Sequence, residues 1–340
     1  MLDVRRLRLL RELARRGTIA AVAEALAYSP SAVSQQLAVL EREAGLPLLE
    51  RTGRRVRLTP AAQNLVGHAE AVLKRLEQAD AELAEARSGL AGVLRIGAFP
   101  TATRALVPAA LLHLARRHPA LEPMVHETDP AAVAHALRAG ELDVALVHEY
   151  DFVPAPPEPG LDTRPLYGEA MYLAAPATTA RPGPQPEPAP GAAPAPEADT
   201  HPRPDPAPAP AAPAPAPDQG AVLRAHRDAP WITATPGTLC HAMTLRACQA
   251  AGFTPRVRHR IDEFATVLAL VAAGQGVAVV PQLGMTGPPD PAVALTRLHM
   301  ERRTKIAFRS GAGAHPAVAA FAASLRAAVP RDLAESPAGG

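Results

Sequence analysis

Cysteine, aromatic side chains and long apolar runs are all scarce in this 340-residue chain, and each scarcity excludes a class of protein. The two cysteines, Cys240 and Cys248, are too few for a disulfide framework or a cysteine-rich zinc site, and none of the twelve histidines is paired at ligand spacing. No metal is therefore expected. No apolar run approaches the roughly 18 residues a membrane span needs. The start, Met1-Leu2-Asp3-Val4-Arg5-Arg6, lacks the apolar core and cleavage site of a secretory signal, so the expectation is a cytoplasmic protein without a membrane partner. Catalytic signatures are missing too: there is no G-x-S-x-G, no H-E-x-x-H and no phosphate-binding P-loop, and Gly274-Gln275-Gly276 lacks the rest of a dinucleotide fingerprint. Neither an enzyme nor a cofactor is expected.

What is present is a chain of 48% hydrophobic and 20% charged residues, enough for two or three folded domains. Its charge is unevenly divided. Residues 1–60 hold eleven arginines and no lysine against six carboxylates, a balance of +5, while the remainder carries −3. The basic end is the candidate anion-binding end. A second break is the stretch 181–218, where Pro and Ala fill 26 of 38 positions. With almost no bulky apolar side chain it is expected to be a disordered or extended insertion, and no role is assigned to it.

The first ninety residues read as helices around one short basic hairpin. Leu7, Leu10 and Leu13 recur at helical spacing; Gly17 stops that helix and Thr18 caps a short second one. A turn at Ala27-Tyr28 leads into a third helix with Ser29 as N-cap and Pro30 in its first position, which completes a helix-turn-helix. Val33, Leu37 and Leu40 share one face of it, so Ser31 and Gln35 point away from the core with Ser34 at the edge. Gln can pair with adenine through two hydrogen bonds and Ser can bond several base edges, which makes these three the candidates for base reading in duplex DNA. Two short strands follow around a Thr52-Gly53 turn. Arg51, Arg54 and Arg55 there suit a wing that grips phosphates, because guanidinium offers a planar fork of donors. Past Thr59-Pro60, Leu65, Ala69, Val72, Leu76, Ala79 and Leu83 form a heptad seam on a long helix, expected to pair with a second copy in a homodimer or homotetramer.

The runs Ala23-Glu24-Ala25-Leu26, Ser29-Pro30-Ser31-Ala32-Val33-Ser34-Gln35-Gln36-Leu37, Leu48-Leu49-Glu50-Arg51 and Leu58-Thr59-Pro60-Ala61 resemble the N-terminal winged helix-turn-helix of LysR-type transcriptional regulators. Leu49 stands where that family usually has Phe, and Ala62 where it usually has Gly. Gln35 is often Arg in the family, so the resemblance implies no particular base there.

From residue 93 the pattern alternates between strand and helix, which argues a mainly parallel α/β sheet. It resembles the family's effector-binding portion, two α/β subdomains hinged like a type 2 periplasmic binding protein. The expected division is a DNA-binding domain at 1–60, a linker helix at 61–90 and an effector-binding domain at 91–330. Within the last, the first subdomain comprises 91–160 and 276–330 and the second 161–275, with Gly274–Pro281 as the return crossing. The resemblance implies a small-molecule effector in the cleft between subdomains, lined by Phe99, Thr101, Thr103, Thr128, His148 and Thr235. Thr101 and Thr103 are read equally as helix caps, and His148 as a hydrogen-bonded core residue. The competing reading is a small-molecule-binding protein or enzyme whose basic helices serve only dimerisation.

Overall fold

The computed structural model describes residues 1–52, 55–85, 90–153, 158–177, 218–285, 287 and 290–334; of the insertion expected at 181–218, all but Asp218 lies outside them. Helix α1 (Val4–Arg16) is opened by the Asp3 carboxylate, which accepts the N–H groups of Arg5 and Arg6. It ends at Gly17, whose φ of +72° is one that a side chain would strain. Helices α2 (Ile19–Ala25) and α3 (Pro30–Ala44) are capped by Thr18 and Ser29 as their sequences demand. Strands β1 (Leu49–Thr52) and β2 (Arg55–Leu58) pair antiparallel, with Arg51 opposite Val56 and Thr52 opposite Arg55. Glu41 on α3 accepts the N–H groups of Leu48 and Leu49, fixing where the hairpin leaves the helices. The core of this head is aliphatic, built from Leu10, Leu13, Val22, Val33, Leu37, Leu40 and Leu48. Helix α4 (Pro60–Glu85) closes it with Ala62 and Ala69.

The rest of α4 is half dressed. Val72, Leu76 and Leu83 of the heptad seam are 40%, 48% and 64% exposed, whereas Ala69 of the same seam is buried in the head. The seam is thus interrupted: its first turns pack on the protein's own head and only the later ones form a free apolar stripe.

Beyond α4 the order is β3 (Gly92–Ala98), α5 (Pro100–Ala105), α6 (Val107–Arg117), β4 (Leu121–Glu127), α7 (Pro130–Ala139), β5 (Val144–Tyr150) and β6 (Leu161–Pro176). Then come α8 (Gln219–Arg224), β7 (Pro230–Thr233), α9 (Leu239–Ala250), β8 (Arg256–Arg260), α10 (Phe264–Ala272), β9 (Ala278–Pro281), β10 (Val293–Arg309), α11 (Pro316–Ala328) and α12 (Arg331–Ala334). Six strands form one sheet in the order β4-β3-β5-β10-β6-β9, and β7 pairs with β8 in a second.

The large sheet is mixed rather than mainly parallel. Strands β3, β4 and β5 run parallel, but β10 is antiparallel to both β5 and β6, and β6 to β9. The cause is a pair of long strands that traverse both subdomains in opposite directions. Tyr167 of β6 and Ile306 of β10 belong to the first core, around Leu94, Ile96 and Phe321; Met171 of β6 and Leu298 of β10 belong to the second, around Trp231 and Met243. This corrects the expected crossing at Gly274–Pro281. Strand β9 stays inside the second body, where Val279 packs with Met171 and Trp231 and Val280 with Ile232 and Val267, and the crossings are made by β6 and β10 themselves. The long strands carry a bulge near Pro165, with Tyr167 opposite Thr304 and Pro165 opposite Lys305.

Candidate DNA-reading face and effector cleft

On α3 the exposed face is the one the spacing predicts: Ser31, Gln35, Ala38 and Arg42 are exposed, Ser34 sits at the edge and Val33, Leu37 and Leu40 are buried. The Ser29 Oγ accepts the N–H of Ala32 at 3.2 Å and lies 3.0 Å from Ser31 Oγ. Gln36, by contrast, is tied down, accepting from Arg6 Nε at 2.9 Å. The backbones of Arg51 and Arg55 lie on the paired strands beside this helix; their side chains, and all of Arg54, lie outside the described residues.

The second candidate site opens where β3, β5 and β10 meet α5, α7 and α9. A cavity of about 290 Å³ is lined by Phe99, Thr101, Thr128, His148, Cys240 and Arg302, among others. Phe99 is its centrepiece. The His148 ring stacks on it at 4.6 Å between centroids, and the Arg302 guanidinium lies 5.1 Å from the same ring. Arg302 is almost wholly buried and donates from Nε to Glu169 Oε1 at 2.8 Å, while Glu169 Oε2 accepts the N–H of Leu283 at 2.7 Å. Burial opposes the charge of Arg302, but the Glu169 carboxylate overrides it, and the guanidinium is held charged beyond its ordinary range.

Around that pair runs a chain of buried polar groups. The Tyr150 hydroxyl is 2.9 Å from Cys240 Sγ and 3.5 Å from His148 Nε2. Burial, with Arg302 nearby, holds the His148 imidazole well below its usual value, so it is neutral; its Nδ1 has no hydrogen-bond partner among the described residues. Burial pushes the thiol of Cys240 up, and that of Cys248 to about 12.

Of the six residues expected to line this cleft, Phe99, Thr101, Thr128 and His148 meet at the cavity, and Thr103 and Thr235 do not. The Thr103 hydroxyl bonds back to the carbonyls of Ala98 and Phe99, and that of Thr235 donates to Asp262 at 2.7 Å. Both are spent on shaping their own turns. Neither Thr101 nor Thr103 is a helix cap, because Phe99 holds that position on α5 without a side-chain bond. Thr101 is buried at the cavity wall. Cys240, Arg302 and Glu169 escape sequence reasoning: an Arg inside Glu301-Arg302-Arg303 looks solvated, and only strand pairing shows which of the two arginines turns inward.

Two family models match the chain: "Bacterial regulatory helix-turn-helix protein, lysR family" over residues 4–63, and "LysR substrate binding domain" over 87–190 and 207–330. A protein of Mycobacterium xenopi named as a probable hydrogen peroxide-inducible genes activator is 42% identical over 154 residues, 45% of this chain and 79% of its own length. One of the same name from Mycobacterium avium is 30% identical over 76% of this chain and 71% of its own length. Among solved structures, a full-length OxyR variant from Pseudomonas aeruginosa has the same fold, with a TM-score of 0.52 at 24% identity, covering 96% of this chain and 98% of that one. With a helix-turn-helix head, a linker helix and a two-body domain of that fold in this order, the chain belongs to the LysR family of transcriptional regulators and carries that family's substrate-binding domain.

Proposed function

We propose that this regulator reads duplex DNA with Ser31, Ser34 and Gln35 of α3 in the major groove, with Arg51, Arg54 and Arg55 on the flanking phosphates. It answers to a small-molecule effector bound in the cleft over Phe99. The observation that carries the first half is the outward face of α3: a capped, well-packed helix that exposes Ser31 and Gln35, with Ser34 at the edge, beside a hairpin rich in arginine. The cavity lined by Phe99, Thr101, Thr128 and His148 supports the second. The exposed stripe of Val72, Leu76 and Leu83 suits pairing of two chains, so that two heads meet two half-sites. The protein works in the cytoplasm by binding and not by catalysis; no helix among the described residues is long and apolar enough to cross a membrane.

Relatives named for induction by hydrogen peroxide raise a second reading, in which a thiol is the sensor. Thiol oxidation requires a thiolate, and burial keeps both Cys240 and Cys248 protonated at neutral pH. A bound effector is therefore the favoured signal. The test is to map the genomic DNA the protein occupies, then titrate the purified full chain on that fragment and on a scrambled duplex. Addition of peroxide, and separately of metabolites handled by the neighbouring genes, separates the two signals. Equal affinity for both duplexes would refute the reading of α3, and a response to peroxide alone would overturn the effector cleft.

A further inference from the structure

The cleft over Phe99 carries more negative charge than positive, and its carboxylates come from both subdomains. Glu127, at the end of β4, and Asp129, which caps α7, line the cavity from the first subdomain; Asp262, just before α10, lines it from the second. None of the three makes an ion pair among the described residues. Asp129 Oδ1 accepts the N–H of Ala131 at 2.8 Å, and Asp262 accepts the N–H and the hydroxyl of Thr235, but these neutral donors leave both charges in place.

The cations at hand are already matched. Arg302 is 1% exposed and donates to Glu169 Oε1 from Nε at 2.8 Å, with its Nη2 at 2.7 Å from the same oxygen. Arg104, which reaches from α5 to the start of α10, donates to Glu263 Oε1 at 2.6 Å and to the Gly284 carbonyl at 3.2 Å. Burial keeps His148 neutral, so it adds no positive charge.

Thr101 marks the same place as one built to meet a ligand. It is 5% exposed at the cavity wall, yet its hydroxyl makes no hydrogen bond among the described residues. The Thr233 hydroxyl also lacks a partner but is sealed inside the protein, whereas that of Thr101 is not, so an incoming donor can reach it. Pro100, Pro130, Ala234 and Phe264 make much of the remaining wall apolar. No group of three or more His, Cys, Asp or Glu among the described residues is arranged to hold a metal ion, which favours an organic cation.

We infer that the effector is a small organic cation, a protonated amine on an apolar body, whose charge lies between the carboxylates of the two subdomains and whose polar hydrogens have the Thr101 hydroxyl as a further acceptor. This rests on the reading of the cleft as the effector site and adds the class of ligand. It also supplies the preference a switch needs. Carboxylates on two walls repel as the walls approach, and an ammonium between them turns that repulsion into attraction, so the cation binds the closed arrangement better than the open one.

Phenethylamine and butylamine are the probes, titrated calorimetrically into the full-length protein at fixed ionic strength, beside the similarly shaped carboxylate hydrocinnamate and magnesium chloride. The expected result is saturable binding of an amine, one per chain, and none of the carboxylate or of magnesium. Asp129→Asn, which keeps the cap of α7, and Asp262→Asn should each weaken it about tenfold, and Thr101→Val about threefold. Glu122→Gln, exposed on β4 and outside the cavity, should leave it unchanged. Binding of hydrocinnamate and not of an amine overturns the inference while leaving the cleft as the effector site. Binding of magnesium alone, binding of no probe, or amine binding that survives both Asp129→Asn and Asp262→Asn overturns it as well. The reading of the cleft is judged separately, by whether Thr101→Val blunts the operator response to metabolites of the neighbouring genes, whatever their charge.

Discussion

The core of the reading head is aliphatic from Leu10 to Leu48, whereas the hinge of the effector domain buries Arg302, Glu169, Tyr150 and His148 beneath its cavity. The head keeps its charges out of this aliphatic core: buried Glu12 is paired with Arg11, Arg15 and Arg16 where α1 meets the effector domain, and on α3 the side chains that stabilise the head and those that would meet DNA are on opposite faces. In the hinge the two sets are one. Arg302 holds the crossing strands together through Glu169 and forms the wall of the cleft through Phe99, so whatever enters the cleft acts on groups that also hold the two subdomains in register. A dry core gives a rigid reader; a buried polar hinge gives a structure whose balance a ligand can shift, provided the ligand prefers one arrangement over the other.

The sharpest way to break this contrast is to remove one member of the buried pair. Glu169→Gln leaves a buried guanidinium uncompensated and should cost about 3–5 kcal/mol in urea unfolding, while Arg302→Met combined with Glu169→Leu should recover most of that loss. A small effect of the single change would mean the hinge is wetter than its burial indicates. On the head, Gln35→Ala should leave stability nearly untouched yet reduce discrimination between operator and scrambled duplex by about 1–3 kcal/mol, read from paired titrations. Equal weakening on both duplexes would move Gln35 from base reading to general contact.

A comparable effect comes from acid. Folding holds His148 well below its ordinary value of 6.5, so the unfolded chain binds a proton there that the native chain refuses. The native state loses stability as pH falls below about 6.5, with a slope approaching ~1.4 kcal/mol per pH unit from this group. His148→Phe should flatten that part of the profile in denaturant titrations between pH 5 and 7.5, and an unaltered slope would assign the acid sensitivity elsewhere. The smallest expected change is Thr101→Val, which keeps the shape of the cavity wall and removes a hydroxyl. Operator affinity without effector should stay the same while the response to effector weakens, and loss of affinity without effector would show that Thr101 has a structural part.

The head was almost wholly legible because its signals are local: Ser29-Pro30, Gly17-Thr18 and the three-four spacing of Val33, Leu37 and Leu40 each act within one or two turns. Farther along, local reading fails for identifiable reasons. Residues 101–117 look like one helix, but Pro108 has no N–H to donate and constrains the residue before it, and the helix breaks at Leu106 into α5 and α6. Strand β6 goes unseen because Pro165 and Gly168 interrupt its pattern; both pair with β10 around a bulge, in a stretch where β9, which pairs only with 171–174, makes no demand on their other side. Strand β10 reads as two pieces because Glu301-Arg302-Arg303 looks like a charged loop.

Local signals in the chain account for the order of parts, the caps and the outward face of α3 and the apolar stripe of α4, and four of the residues expected at the cleft, Phe99, Thr101, Thr128 and His148, line one cavity. Each depends on periodicity or on a resemblance carried by contiguous motifs. Long-range packing, in contrast, turned Thr103 and Thr235 away, brought Arg302 inward onto Glu169 and set Cys240 in the cavity wall. It also gathered Arg8, Lys74 and Arg309 around one pocket. Those residues are separated by dozens to hundreds of positions, and what brings them together is the register of two long strands and the seating of one helix. Neither leaves a local trace in the chain, because hydrogen-bonded strand pairs and packed surfaces are formed between distant segments.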